Sequence, residues 1–280
     1  MEIKKLQTIV LGILKYCVLV FGAFVAIIPV LVCVFTAFKT DEEYQSTSPM
    51  TLPRNWTYFN NFVIAFKKAN MLVGFRNTFL VLIVVLIFSI IMGTMIAYVL
   101  NRFVFRGNAL IRNLFLFAAL LPGIATQVTV YKIMYSLNLI NTLPGYMLVM
   151  AGTDVISIYI FLQFFENLPV SLDESAILDG CTYFGVFFRI LLPLLKPAIV
   201  TVTILKCVGI YNEYYMSNLY LQSKDLKTIS TALFTFTGPY GSQYNYICAG
   251  VLITILPALI IFLIFQKQIY SGLTDGAVKG

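Results

Sequence analysis

Long apolar blocks separated by shorter polar segments dominate this sequence. The blocks lie at about 9–37, 77–100, 113–136, 145–165, 197–217 and 246–266. A helix of about 20 apolar residues spans a bilayer core about 30 Å thick, and each block reaches about that length. With 60% hydrophobic and only 11% charged residues, the chain could not keep so much apolar surface soluble in water. We therefore predict an all-α, polytopic membrane protein with six transmembrane helices.

The polar segments divide the predicted protein into three regions. Residues 1–38 form the first transmembrane helix, 39–76 an external segment, and 77–280 a core with the other five helices. Three parts of that core are predicted not to span the membrane: a cytoplasmic helix-turn-helix at 166–196 between helices four and five, an external loop at 218–244, and a tail at 267–280.

Lys and Arg residues set the predicted orientation. Ten of them lie on the side of the two termini and eight on the other side, where the loops are longer and count less. The net charge of +7 fits basic loops beside an anionic inner leaflet. Because no run of Lys or Arg exceeds two residues, we predict no nucleic-acid partner. We predict that the protein lies in a bacterial plasma membrane with both termini in the cytoplasm.

Residues needed for several kinds of chemistry are missing from the sequence. There is no histidine, which removes the commonest general base and a common zinc ligand. The five cysteines show no CxxC spacing, and there is no G-x-x-x-x-G-K-[ST] phosphate loop. No convergent set of catalytic groups is visible, which argues against an intramembrane enzyme. We predict no metal, no cofactor and no enzymatic activity in this chain.

The first half of the 166–196 segment predicts a short helix. Ser171 and Glu174 fit an S-x-x-E capping box at its start. Asp173 would lie in the first turn, where the helix dipole favours negative charge. Gly180 suits the left-handed backbone that ends many helices.

A second short helix is predicted from about Thr182 to Leu192, ended by Pro193. Two interpretations of the resulting hairpin remain open from the residues alone. It either covers the bundle as an amphipathic interfacial element or is the docking site of a cytoplasmic partner.

The same segment resembles the EAA motif of ABC-importer permeases. Glu174-Ser175-Ala176 is followed after three residues by Gly180, and after nine more by Ile190-x-Leu192-Pro193. The family motif is E-A-A-x3-G-x9-I-x-L-P, and Ser175 replaces its first alanine.

Three further segments resemble the carbohydrate branch of that family, in its maltose-transporter G-subunit type. They are the stretch from Gln127-Val128 through the turn Leu137–Thr142, the aromatic-Asn-Glu-aromatic run Tyr211–Tyr214, and the tail from Phe265-Gln266 to Gly280. This chain departs from the family at Tyr211, which usually is tryptophan, and at Ser217-Asn218, which often is Pro-Leu. These departures concern the identity of the substrate.

The resemblance implies a complex in which two permease subunits pair above an ATPase dimer. Those ATPases bind ATP and Mg, and an external solute-binding protein delivers a sugar or oligosaccharide that crosses by alternating access. The residues implied in ATPase coupling are Glu174, Ser175, Ala176, Asp179, Gly180, Ala277, Val278, Lys279 and Gly280. The alternatives are a permease for a non-sugar solute and a secondary transporter, whose internal repeats we do not find.

Two charged residues fall near the middle of predicted helices four and five. Asp154 and Lys206 each lie about nine residues from the start of their helix. A lone charge there costs about 2.5–3.5 kcal/mol, so we predict an Asp154–Lys206 ion pair. The alternative is that Lys206 faces a wet cavity. Glu213 follows Lys206 by seven residues, which would put both on one helix face.

A cluster near the end of predicted helix five is the candidate substrate path. It consists of Tyr211, Asn212, Glu213, Tyr214 and Tyr215. Their aromatic faces and hydrogen-bonding groups suit a sugar. An aromatic belt at the outer membrane interface is the alternative interpretation.

Overall fold

The structure is a computed structural model that describes residues 2–121, 123–152, 155–238 and 241–277. Its α-helices are α1 Glu2–Ala37, α2 Asp41–Ser46, α3 Asn60–Lys68, α4 Met71–Arg102, α5 Asn108–Leu120, α6 Gly123–Ser136, α7 Leu143–Met150, α8 Val155–Glu166, α9 Ser171–Leu178, α10 Tyr183–Val186, α11 Leu192–Leu194, α12 Lys196–Asn212, α13 Tyr215–Tyr220, α14 Ile229–Ala232 and α15 Tyr244–Ala277. A π-helical turn covers Phe187–Leu191, and 3-10 turns cover Lys224–Leu226 and Leu233–Phe236. The strands β1 Thr237–Gly238 and β2 Gly241–Ser242 pair antiparallel.

Three helices in the described part of the chain are long and apolar enough to cross a membrane alone, at Leu11–Ala37, Met71–Arg102 and Tyr244–Lys267. Three helix pairs qualify together but are bent: α5 with α6 by 101°, α7 with α8 by 49°, and α10–α11 with α12 by 72°. If each pair is one span, the count reaches the six predicted. The predicted helical membrane architecture is confirmed. Predicted helices three and four, however, are bent rather than continuous, whereas the 72° bend lies between Leu194 and Lys196, before predicted helix five begins at 197.

Two compact units make up the chain. The first comprises Met1–Met71 and Leu233–Leu259, and the second Leu72–Ala232 and Ile260–Gly280.

A buried amide organises the first unit. Asn61 is 1% exposed, and its Nδ2 donates to the carbonyls of Ala37 (2.8 Å) and Lys39 (2.7 Å). Lys39 is itself buried and donates from Nζ to the Ser48 carbonyl at 2.7 Å. Burial lowers the pKa of Lys39, and the Glu43 carboxylate partly opposes that shift. These bonds fix the chain where it leaves α1 for the polar segment.

The start of α15 is bonded to the same polar segment. Asn245 donates to Asp41 Oδ1 at 2.6 Å, and the Tyr246 hydroxyl donates to Asp41 Oδ2 at 3.0 Å. Aromatic rings add to this unit, since Phe38 lies 5.7 Å from Trp56 and 5.1 Å from Phe62, between ring centroids. The segment after α1 is therefore a folded, internally bonded element.

The core of the second unit joins the C-terminal end of α4 to the hairpin. Its fully buried side chains include Ala97 on α4, Phe161 and Phe165 on α8, and Leu191 and Leu195 before α12. Ala176 of α9 belongs to this cluster. The hairpin is thus packed on α4 and α8 rather than held only by its connections.

Candidate coupling site and substrate path

The start of α9 differs from the predicted capping box. Val170 is the N-cap residue, and no side chain among the described residues caps this end. The Glu174 amide bonds to the Val170 carbonyl at 3.2 Å, and the Leu172 amide to the Pro169 carbonyl at 3.3 Å. Because the chain turns this early, Ser171 is already the first helical residue. The capping-box prediction is wrong.

The end of α9 is as predicted. Gly180 has a φ of +84°, in the left-handed region that glycine adopts without strain. The Cys181 amide bonds to the Ala176 carbonyl at 2.9 Å, and the Gly180 amide to the Ile177 carbonyl at 3.0 Å. These two bonds form a Schellman motif, which ends the helix after Leu178.

The second half of the hairpin begins at Thr182, whose hydroxyl accepts from the Gly185 amide at 3.2 Å. That start is confirmed, but Pro193 does not end the helix. The π-helical turn Phe187–Leu191 comes first, and Pro193 lies in the first turn of α11. Proline is tolerated there because a first-turn amide has no partner within the helix. The break comes afterwards, as the 72° bend before α12.

Helix α9 has one buried and one exposed face. Asp173 and Ala176 are each 6% exposed, whereas Leu178 is 87% exposed. Of the predicted coupling residues on this segment, four are exposed: Glu174, Ser175, Asp179 and Gly180. Ala176 instead packs in the chain's own core, because it lies three residues after Asp173 on the same helix face. Its predicted contact with an ATPase is therefore not supported by its position.

An ion pair holds the buried face of α9. Arg102, the last residue of α4, places Nε 2.5 Å from Asp173 Oδ2, and the two side chains are 8% and 9% exposed. Arg102 Nη2 also donates to the Leu168 carbonyl at 2.9 Å. Burial raises the pKa of Asp173, while the Arg102 guanidinium opposes this shift. The pair leaves no signal in the sequence, because Arg102 and Asp173 are far apart in the chain.

Some predicted residues lie outside the described part. These are Asp154, Val278, Lys279, Gly280 and the side chain of Ala277. Lys206 lies on α12. The Asp154–Lys206 pair and the role of the tail therefore stay predictions.

The candidate substrate path lies at a break between helices. Helix α12 ends at Asn212, earlier than predicted. The side-chain amide of Asn212 donates to the Val208 carbonyl at 3.0 Å. Glu213 is past the helix end, and its Oε1 accepts from the Met216 amide at 2.8 Å. Glu213 has extended backbone at the C-terminal end of α12, so it does not continue the helical face that carries Lys206.

The aromatic members of this path are unequally exposed. Tyr211 and Tyr214 are half-buried, and Tyr215 is exposed. The helix break leaves backbone and aromatic groups together, an arrangement found where membrane proteins line a cavity.

Hydrogen bonds that the sequence did not reveal hold the loop after α13. Asn141 Oδ1 accepts from the amides of Gln222 (3.0 Å) and Ser223 (2.8 Å). Asn77 of α4 donates to the carbonyls of Asp225 (2.9 Å) and Lys227 (3.1 Å). The only sequence signal was Asn141 in a turn, since Asn tolerates the left-handed backbone it adopts at φ 58°.

The described residues contain no group of three or more His, Cys, Asp or Glu side chains that could hold a metal ion.

Comparison with known proteins identifies the fold and family. The family model described as "Binding-protein-dependent transport system inner membrane component" matches residues 89–271. A solved chain from "a bacterial ABC transporter involved in the import of the acidic polysaccharide alginate" has a TM-score of 0.81 at 19% identity, covering 92% of this chain and 96% of that one. This likeness shows the fold.

Two relatives extend over most of this chain. The arabinooligosaccharides transport system permease protein AraQ of Halalkalibacterium halodurans is 31% identical over 93% of this chain and 94% of its own. The diacetylchitobiose uptake system permease protein NgcG of Streptomyces coelicolor is 28% identical over 95% of this chain and 88% of its own. The chain belongs to the family of binding-protein-dependent transport system inner membrane components, which are the non-enzymatic permease subunits of ABC transporters.

Proposed function

We propose that this chain is the permease subunit of an ABC importer for a sugar or oligosaccharide, and that α9 is where a cytoplasmic ATPase binds it. The exposed face of α9 is the observation that carries this proposal. Ile177 and Leu178 are exposed there beside the charged Glu174 and Asp179, and α9 belongs to none of the candidate spans found in the described chain. An exposed apolar surface with a polar rim is typical of a protein interface.

The substrate class follows from two supports. The relatives AraQ and NgcG are named for oligosaccharides, and Tyr211, Tyr214 and Tyr215 offer aromatic faces at a helix break. Neutral sugars bind through stacking and hydrogen bonds rather than through charge. A permease for a non-sugar solute is the alternative, and uptake of labelled oligosaccharides against labelled amino acids separates the two.

The complex needs several partners. They are a second permease subunit, two ATPases that bind ATP and Mg, an external solute-binding protein and membrane lipid. In this assembly both termini face the cytoplasm, and the segment 39–76 and the loop 218–244 face outward. Closure of the ATPases shifts the membrane helices between outward-facing and inward-facing states, each stabilised by a different set of contacts.

Co-purification with the ATPase tests the assignment of α9. Leu178→Glu places a charge in the centre of the exposed face, whereas Leu52→Glu changes an exposed leucine of the first unit. We expect Leu178→Glu to lose the ATPase while the purified permease pair stays intact, and Leu52→Glu to retain it. Full recovery of the ATPase with Leu178→Glu would contradict the proposal.

A further inference from the structure

The coupling hairpin is fastened to α4 by a charge that contacts it at two points. Arg102 is the last residue of α4, a helix of 32 residues. Its guanidinium contacts Asp173 inside α9 and the Leu168 carbonyl in the loop before α9. Arg102 also lies over the Phe165 ring of α8, 5.9 Å from its centroid. One side chain therefore contacts α8, the loop and α9 from the end of α4.

The pair is shielded from solvent, unlike the pair formed by Arg112 and Glu166. Arg112 and Glu166 are 3.8 Å apart, with side chains 33% and 57% exposed. Water and salt screen such an exposed pair. Arg102 and Asp173 are under 10% exposed, so their attraction is weakly screened, and a buried charge that loses its partner is strongly disfavoured.

The geometry also gives the contact a direction. Apolar contacts such as that of Ala176 are non-directional, so packed helices can slide along them. Arg102 Nη2 donates a directional hydrogen bond to the Leu168 carbonyl, while charge attraction holds its Nε beside the Asp173 carboxylate. Because the guanidinium is planar and rigid, this combination resists sliding of the hairpin along α4.

We propose that the Arg102–Asp173 pair is a positioning link that makes α4 move with the coupling helix, so that a push on the exposed face of α9 displaces a membrane helix. This inference rests on the proposed function, because it assumes that an ATPase binds α9. Arg102 and Asp173 touch neither the sugar nor the nucleotide. They determine how much sugar moves for each ATP hydrolysed.

A double variant separates this role from a merely structural one. Arg102→Met or Asp173→Leu alone leaves a buried charge unpaired, which is expected to impair folding. The combined Arg102→Met/Asp173→Leu change removes both charges, and apolar replacement of a buried ion pair is often neutral or stabilising. The double variant should therefore assemble while lacking the directional link.

The test uses the whole transporter in proteoliposomes, with ATP hydrolysis and sugar uptake measured together. We expect the double variant to co-purify with the ATPase within about 2-fold of wild type and to hydrolyse ATP, but to move at least about 10-fold less sugar per ATP. Arg102→Lys keeps the charge without the planar fork and should give an intermediate ratio. The exposed pair provides the control through Glu166→Gln, which removes the attraction to Arg112 but keeps the bond from Arg112 to the Leu100 carbonyl of α4 and should leave the ratio unchanged.

Two results would overturn the link. One is a wild-type ratio of sugar to ATP in the double variant. The other is failure of the double variant to assemble, which would make the pair a folding requirement only. Leu178→Glu keeps this test distinct from that of the proposed function. If Leu178→Glu loses the ATPase while the double variant transports normally, only the link fails.

Discussion

Two folded connections lie outside the three single-helix spans: the polar segment after α1 and the coupling hairpin α9–α11. They differ in how their buried polar groups are bonded. In the first, Asn61, Asp41 and Lys39 direct their polar groups to carbonyls and side chains of their own unit. In the second, a buried ion pair holds one face of α9, while Leu178 of α9 and Phe184 of α10 are exposed.

Both regions expose apolar side chains, such as Leu52 and Val63 in the first and Leu178 in the second, and such side chains favour association. The regions differ in their buried polar groups, which bond within the segment's own unit in the first and tie the hairpin to the end of α4 in the second. The first region should therefore respond to mutation mainly in stability. The hairpin should respond mainly in ATPase binding and coupling.

The largest expected effect is in the polar segment. Asn61→Leu removes the donor to two carbonyls, and each buried acceptor left unpaired costs about 1–3 kcal/mol. Thermal unfolding of the purified complex should show a clear loss of stability. The neighbouring Asn60 is exposed, so Asn60→Leu should change stability by less than about 0.5 kcal/mol. Equal effects of the two variants would remove the contrast between the regions.

A smaller loss is expected at the turn inside the hairpin. Gly180→Ala forces a Cβ into the left-handed region at φ +84°, at a cost of about 1–2 kcal/mol, although a Cβ there meets nothing within 4 Å. Gly185→Ala is the control, because Gly185 lies within α10 at an ordinary backbone angle. Denaturation of both variants would show whether backbone strain, rather than a steric clash of the new Cβ, lowers the free energy of unfolding. An unchanged free energy of unfolding in Gly180→Ala would contradict the argument from backbone strain.

The two helix starts of the hairpin provide a finer comparison. Thr182 caps α10 with its hydroxyl, so Thr182→Ala should cost about 1 kcal/mol. Ser171→Ala should be neutral within about 0.5 kcal/mol, because Ser171 does not cap α9. Hydrogen exchange of the amides at each helix start measures both. A loss of amide protection in Ser171→Ala as large as that in Thr182→Ala would show that Ser171 does cap α9.

The smallest effect on stability belongs to the proposed interface itself. Leu178→Ser should change the free energy of unfolding by less than about 0.5 kcal/mol, because the side chain is 87% exposed. The same variant should weaken ATPase binding, measured by titrating ATPase into the permease pair. Strong destabilisation would mean that Leu178 packs within the chain.

The sequence alone was sufficient for the apolar spans, the Gly180 turn and the start of a helix near Thr182, because each depends on neighbouring residues. It failed where distant residues decide. The prediction of a continuous third span also failed, because the apolar block runs across Pro122-Gly123, a pair that marks breaks, between α5 and α6, which are bent by 101°. The Arg102–Asp173 pair joins two elements whose proximity only the fold creates. Ser171 satisfied the capping motif, but the turn at Pro169 began the helix earlier.

The side of the membrane on which α9 lies is the most direct test of the account. Single cysteines replace Leu178 and Val63, both exposed, in a chain whose five native cysteines have been changed. A membrane-impermeant thiol reagent is then applied to intact cells and to inverted vesicles. The account predicts that position 63 reacts only in intact cells, and that position 178 reacts only in vesicles stripped of the ATPase and is protected when the ATPase is added back. Labelling of position 178 from outside intact cells would contradict it.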